Sequence, residues 1–143
     1  MDAMNQLFSG MRASATGLSA ERVRIDVIAR NIANAQTTRT PEGGPYRRQL
    51  VEFAPILERM SDGTTAAVGV RVSGIVDDVA SPMERLFDPQ HPDADAEGFV
   101  LMPNVNTTAE MADLITAVRA YEANLSVQEA FVGMAERALR LMQ

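Results

Sequence analysis

Residues 107–143 read TTAEMADLITAVRAYEANLSVQEAFVGMAERALRLMQ, and the spacing of their apolar side chains decides the architecture. Met111, Leu114, Val118, Tyr121, Leu125, Gln128, Val132, Ala135, Leu139 and Met142 step by three and four, and Gln128 is the one polar member. No Pro interrupts the run, and Thr107 with Glu110 three residues on fits a capping box with Thr107 as N-cap. At ~1.5 Å per residue the helix is roughly 50 Å long, too long to bury its own stripe in a small globule.

Working outward, the opposite end of the chain carries a second long helix. Met4, Met11, Leu18, Ile25 and Ile32 fall on a strict seven-residue spacing, with Leu7, Ser14, Glu21, Ile28 and Ala35 as companions. Between them lie small residues, among them Ala3, Gly10, Ala13, Gly17 and Ala20. Small residues let helix backbones approach closely, but each helical Gly costs about 1 kcal/mol against Ala. This helix needs partners to be stable.

The stretch from 36 to 106 is different in kind. It holds all seven Pro and six of the nine Gly, with turn signals at Pro41-Glu42-Gly43-Gly44-Pro45, Ser61-Asp62-Gly63 and Asp88-Pro89. Between these lie strand-like runs at Tyr46 to Phe53, Val68 to Val76 and Phe99 to Met102. The expected fold is α+β: helices over 1–35 and 107–143 form one coiled-coil-like helical domain, and a small β-rich domain over 36–106 is inserted between them.

Composition narrows the function. The chain has 143 residues, no Cys, one His, and 13 basic residues that are all Arg. Thiol nucleophiles, zinc–thiolate sites, multi-histidine metal centres and lysine chemistry are all excluded. Residues 1–40 carry five Arg against three acids, 41–106 five against eleven, and 107–143 three against five. An acidic chain without a basic cluster is a poor nucleic-acid binder. No apolar run is long enough to span a membrane, and no basic-then-apolar secretory leader is expected from the opening residues.

The candidate chemistry is sparse. Asp93, Asp95 and Glu97 followed by Gly98 resemble the start of a calcium loop, but the twelfth position is Asn104 rather than a bidentate Glu. A divalent-metal module is therefore the alternative reading, and a structured acidic loop the preferred one. His91 is expected on the surface, flanked by Pro92, with no nucleophile in a recognisable setting. Arg47 and Arg48 point to opposite faces if extended, one solvated and the other salt-bridged. No catalytic, cofactor-binding or metal residue is assigned, and the chain is not expected to be an enzyme.

At Asn31-Ile32-Ala33-Asn34-Ala35-Gln36-Thr37 the sequence resembles the N-terminal signature of the bacterial flagellar axial proteins, the rod, hook and hook-associated subunits. The stretches Gly43-Gly44-Pro45-Tyr46, Asp93-Ala94-Asp95-Ala96-Glu97-Gly98, Pro103-Asn104-Val105-Asn106 and Tyr121-Glu122-Ala123-Asn124 extend the resemblance over nearly the whole chain and point to a basal-body rod subunit. It implies a structural protein of the proximal rod that polymerises helically with itself and other rod proteins to form the drive shaft. The implied partners include the membrane ring, the export gate base and the flagellar type III export apparatus. The implied location is the rod in the periplasmic space, reached without a cleaved signal peptide. Asn31, Ala33, Asn34 and Thr37 match the axial signature, and Asn31 and Asn34 are expected to cap the first helix. Assembly contacts are expected from Met4, Leu7, Met11, Leu18, Ile25, Ile28 and Ile32, and from Met111, Leu114, Val118, Tyr121, Leu125, Val132 and Leu139.

Overall fold

A computed structural model describes residues 2–60 and 63–141, without the side chains of residues 2–7, 139 and 141. The order is α1 (Asp2–Ala33), β1 (Gln49–Arg59), β2 (Thr65–Asp77), β3 (Glu84–Phe87), β4 (Phe99–Met102) and α2 (Thr107–Leu141). The α+β class expected from the sequence is the one observed. β1 and β2 form one antiparallel hairpin running from Gln49↔Asp77 to Arg59↔Thr65, and β3 and β4 form a second. The period-two run at Val68–Val76 lies within β2. β3 was not anticipated: four residues, all exposed, carry no alternation that a sequence reading can detect.

α1 and α2 run antiparallel, and α1 also packs against the β1–β2 hairpin. A Cβ on Gly10 would lie 2.8 Å from the Phe131 ring, and one on Gly17 would lie 3.1 Å from Asn124 Nδ2. Farther along, Asn31 hydrogen-bonds Glu110. These pairs advance in matched steps of seven or fourteen on both helices, so one register holds along the seam. Ala117, on the same seven-residue row of α2 as Glu110 and Asn124, has no exposed surface, and Ser14, Ala20, Val27 and Ile28 are buried on α1. The row Met11, Leu18, Ile25 and Ile32 is half-buried beside this seam. Close backbone approach selects the smallest side chains for the contact itself, which shifts it one residue from the most hydrophobic row.

The second helix starts one residue earlier than the capping-box reading placed it. Asn106 is the N-cap: its Oδ1 accepts the Ala109 N–H at 3.0 Å, and its carbonyl accepts the Glu110 N–H. Glu110 is consequently the fourth helical residue and turns inward, 1% exposed.

Among the described residues six apolar side chains are buried, while eighteen large ones are exposed. A core of that size holds α2 and the β1–β2 hairpin against α1 and leaves much apolar surface outward.

Candidate functional site

Where α1 ends, β1 begins and α2 begins, the chain builds a buried polar junction. Asn31 is at its centre, 1% exposed. Its Nδ2 donates to the Gln49 carbonyl and to Glu110 Oε2, both at 2.9 Å. Its Oδ1 accepts the Gln49 N–H and the Tyr46 hydroxyl, also at 2.9 Å. All four hydrogen-bonding positions of the amide are filled. Asn31 thus does not cap its own helix, as the sequence suggested; it extends the ladder of β1 and reaches α2. Asn34 is the residue that caps, donating from Nδ2 to the Arg30 carbonyl at 2.9 Å and accepting from Thr37 Oγ1.

The loop between α1 and β1 is folded so that Tyr46 returns to Asn31. Thr40 N–H bonds the Gly44 carbonyl at 2.8 Å, and Tyr46 N–H bonds the Thr37 carbonyl at 2.9 Å. Gly43 and Gly44 both take positive φ, 93° and 76°, which a side chain would resist. Burial pushes the Tyr46 phenol above its ordinary value; Arg30 opposes this, and Asp77 and Glu110 add to it.

Arg48 closes the junction. Its Nε donates to Glu110 Oε1 at 2.6 Å, and its terminal nitrogens pair with Asp113 at 3.5 Å and Asp78 at 3.7 Å. Burial works against the cation, but the Glu110 hydrogen bond and the surrounding carboxylates outweigh it and raise the guanidinium pKa. Asn104 accepts the Arg48 N–H at 2.8 Å and donates to the Asp78 and Ser81 carbonyls. Asp78 takes the Ser81 hydroxyl at 2.7 Å and the Ser81 and Ala80 N–H groups, which together lower its carboxyl pKa against a smaller opposing effect of burial. Of the Arg47–Arg48 pair, the sequence pointed to one salt-bridged member without saying which; the structure makes it Arg48, with Glu110, Asp113 and Asp78 as its company.

The acidic loop is not a metal cradle. Asp95 Oδ1 accepts the Phe99 and Glu97 N–H groups at 2.8 and 3.0 Å, while Oδ2 pairs with Arg85. These N–H bonds, Phe99 first, lower the Asp95 pKa, with Arg85 adding to them and burial opposing. Asp93 takes the Thr38 hydroxyl at 2.8 Å and lies 3.6 Å from Arg39, and Glu97 lies 3.4 Å from Arg85. His91 Nδ1 accepts the Asp93 N–H. Gly98 turns the loop at φ 83°. No group of three metal-ligating side chains occurs among the described residues, so the metal alternative has no support: the carboxylates shape a turn.

The other sequence-selected residues lie on the helices. Ala33 is exposed, Tyr121 is half-buried, and Asn124 faces Gly17 while its Nδ2 donates to the Ala120 carbonyl. Ile28 is buried and Leu114 is half-buried. Met111, Val118, Leu125 and Val132, spaced by seven, are 54%, 36%, 40% and 47% exposed. The side chains of Met4, Leu7 and Leu139 lie outside the described residues.

Two family models match the two helical ends: "Flagella basal body rod protein" over residues 11–39 and "Flagellar basal body rod FlgEFG protein C-terminal" over 96–141. The chain is 45% identical to the flagellar basal-body rod protein FlgC of Borreliella burgdorferi, covering 96% of this chain and 98% of the relative. It is 42% identical to FlgC of Bacillus subtilis, covering 94% and 97%, and 40% identical to FlgC of Yersinia enterocolitica, covering 90% and 92%. The matched regions contain the junction residue Asn31 and both faces of α2. Similarity of that extent, over a helix pair that leaves its apolar rows outward, makes the chain a member of the FlgC family of flagellar basal-body rod proteins, structural components of the rod.

Proposed function

We propose that the chain polymerises helically with other rod proteins and with copies of itself, and that the resulting shaft carries torque in the proximal rod. In this reading residues 1–35 and 107–143 act as one helical core domain, packed coiled-coil fashion against neighbours, and residues 36–106 form a separate β-rich domain. The outward row Met111, Val118, Leu125 and Val132 carries the proposal, because a seven-residue apolar row left exposed from residue 111 to 132 of α2 matches a helix-packing seam. Each large apolar side chain covered by a neighbour contributes about 1.5–3 kcal/mol. Met4, Leu7, Met11, Leu18, Ile25, Ile32, Leu114, Tyr121 and Leu139 complete the proposed contacts, with Ile28 supporting them from within.

The rod's other neighbours in this reading are the membrane ring, the export gate base and the type III export apparatus, and its place is the periplasmic space. No helix of the described residues is long and apolar enough to cross a membrane. The junction at Asn31 sets the angle between the helix pair and the β region, so load on one passes to the other through hydrogen bonds and ion pairs rather than a flexible linker. The test is Leu125→Asp, alone and with Ile25→Asp, introduced into flagellated cells. The expected result is loss of rod assembly and motility with the purified variants still folded by circular dichroism. Motile cells carrying both changes would refute the reading.

A further inference from the structure

The apolar row on α2 has a charged border. Glu122, Glu129 and Glu136 each follow Val118, Leu125 and Val132 by four residues, so they line one side of that row at the same seven-residue spacing. All three are exposed, and none is held in an ion pair or hydrogen bond among the described residues. Arg119, one turn before Glu122, is exposed and pairs with none of them. Roughly 100° of rotation separates the row from Ala117 in the intramolecular seam, so the flank is open while the seam is filled.

We propose that this flank of α2 is a docking site for a basic amphipathic helix of a different chain, and that the acidic border rejects a second copy of this one. An apolar row with charges beside it is how paired helices choose partners: the row supplies affinity, the border supplies selection. A second copy does not match it on this flank, so contacts between copies use the other faces of the helices. Its α2 would set one acidic border against another. Its α1 has no basic border, because stepping by seven leads from Arg12 to Ser19 and Asp26, from Arg22 to Ala29, from Arg24 to Asn31 and back to Gly17, and from Arg30 back to Val23. The complementary partner carries its own apolar heptad row with Arg or Lys repeated at seven-residue intervals. The inference rests on the assembly reading above and names the partner for one of its faces.

The experiment uses the full chain and two synthetic helical peptides, each about four heptads long with one apolar row. One peptide carries Lys along the border and the other carries Glu. Fluorescence anisotropy is expected to show about tenfold tighter binding of the Lys peptide at low salt, with the preference fading as salt rises. Glu122→Lys/Glu129→Lys/Glu136→Lys is expected to reverse the preference with unchanged circular dichroism, and single Glu129→Lys to weaken it in the same direction. Leu125→Asp is expected to abolish binding of both peptides. Equal binding of the two peptides, an unchanged preference in the charge-reversed variants, or self-association of the unaltered chain that Leu125→Asp disperses would overturn the proposal. If Leu125→Asp stops rod assembly while the peptides are not discriminated, this inference fails and the assembly reading survives.

Discussion

Asn31→Asp is the most informative single change, because it keeps the shape of the side chain and alters only what the junction can bond. The two acceptor contacts, from the Gln49 N–H and the Tyr46 hydroxyl, survive. The two donor contacts do not: an oxygen now faces the Gln49 carbonyl and Glu110 Oε2, each 2.9 Å away. At about 3 Å and an effective dielectric near 20, two carboxylates repel by about 5–6 kcal/mol. The site escapes that cost by taking up a proton, which for an ordinary Asp carboxyl at pH 7 costs about 4 kcal/mol. The expected destabilisation is therefore about 4 kcal/mol at pH 7, shrinking by about 1.4 kcal/mol for each unit the pH falls toward 4. Urea unfolding followed by far-UV circular dichroism at pH 7.0, 6.0 and 5.0, on variant and parent together, measures both the size and the slope. Adding Glu110→Gln restores a donor opposite the new carboxylate and is expected to recover about 1–3 kcal/mol of the loss at pH 7. A loss under about 1 kcal/mol, or one with no pH dependence, would show that Asn31 and Glu110 do not share a buried contact.

Three further outcomes follow from the geometry. Gly69→Ala puts a Cβ 2.6 Å from Thr16 Oγ1, which itself accepts the Val70 N–H, so either Thr16 turns and gives up that bond or α1 shifts from the hairpin; a loss of about 1–3 kcal/mol in thermal or urea unfolding is expected. Asp78 and Asp95 have lowered pKa values, so their contribution is complete above the ordinary Asp value of 3.8 and is lost as pH falls through their folded values below it. Asp78→Asn is accordingly expected to flatten the acid limb of an unfolding-midpoint profile below that pH and leave the slope above it unchanged. Tyr46 has the opposite sign: its phenol is raised above 10.0, so its contribution is present at neutral pH and is lost as pH rises through the folded value. Tyr46→Phe is expected to remove that alkaline step.

Much of this molecule was legible before any fold was known. The helices Asp2–Ala33 and Thr107–Leu141 announced themselves because three-four and seven-residue apolar spacing survives whatever the helix packs against. β4 was found at its observed bounds because Gly98 and Pro103 bracket it. The axial signature at Asn31–Thr37 located the junction, although of the two caps expected there, Asn31 and Asn34, only Asn34 caps the helix. What escaped detection was whatever depended on a partner distant in sequence. Glu110 read as a capping-box residue because a helix start offers two frames one residue apart, and Asn106 decided between them by bonding the Ala109 N–H. One of Arg47 and Arg48 could be given a salt bridge, but neither the choice of Arg48 nor its partner Glu110, 62 positions away, was readable.

The sequence by itself determined the α+β class, two long helices with apolar rows, and an acidic chain poor in catalytic residue types; its motifs at Asn31–Thr37 and beyond carried the resemblance to the family. The first three depend on local periodicity, turn chemistry and composition, each of which is a property of neighbours along the chain. The tertiary structure alone decided which row forms the intramolecular seam, since backbone approach at Gly10 and Gly17 favours small side chains over hydrophobic ones. It alone showed the acidic loop to be a turn, since the N–H groups of Glu97 and Phe99 and the Arg85 cation occupy carboxylates that a sequence presents as free. It also made Asn31 the meeting point of both helices and a strand, because four hydrogen bonds to three segments exist only once the chain has closed on itself.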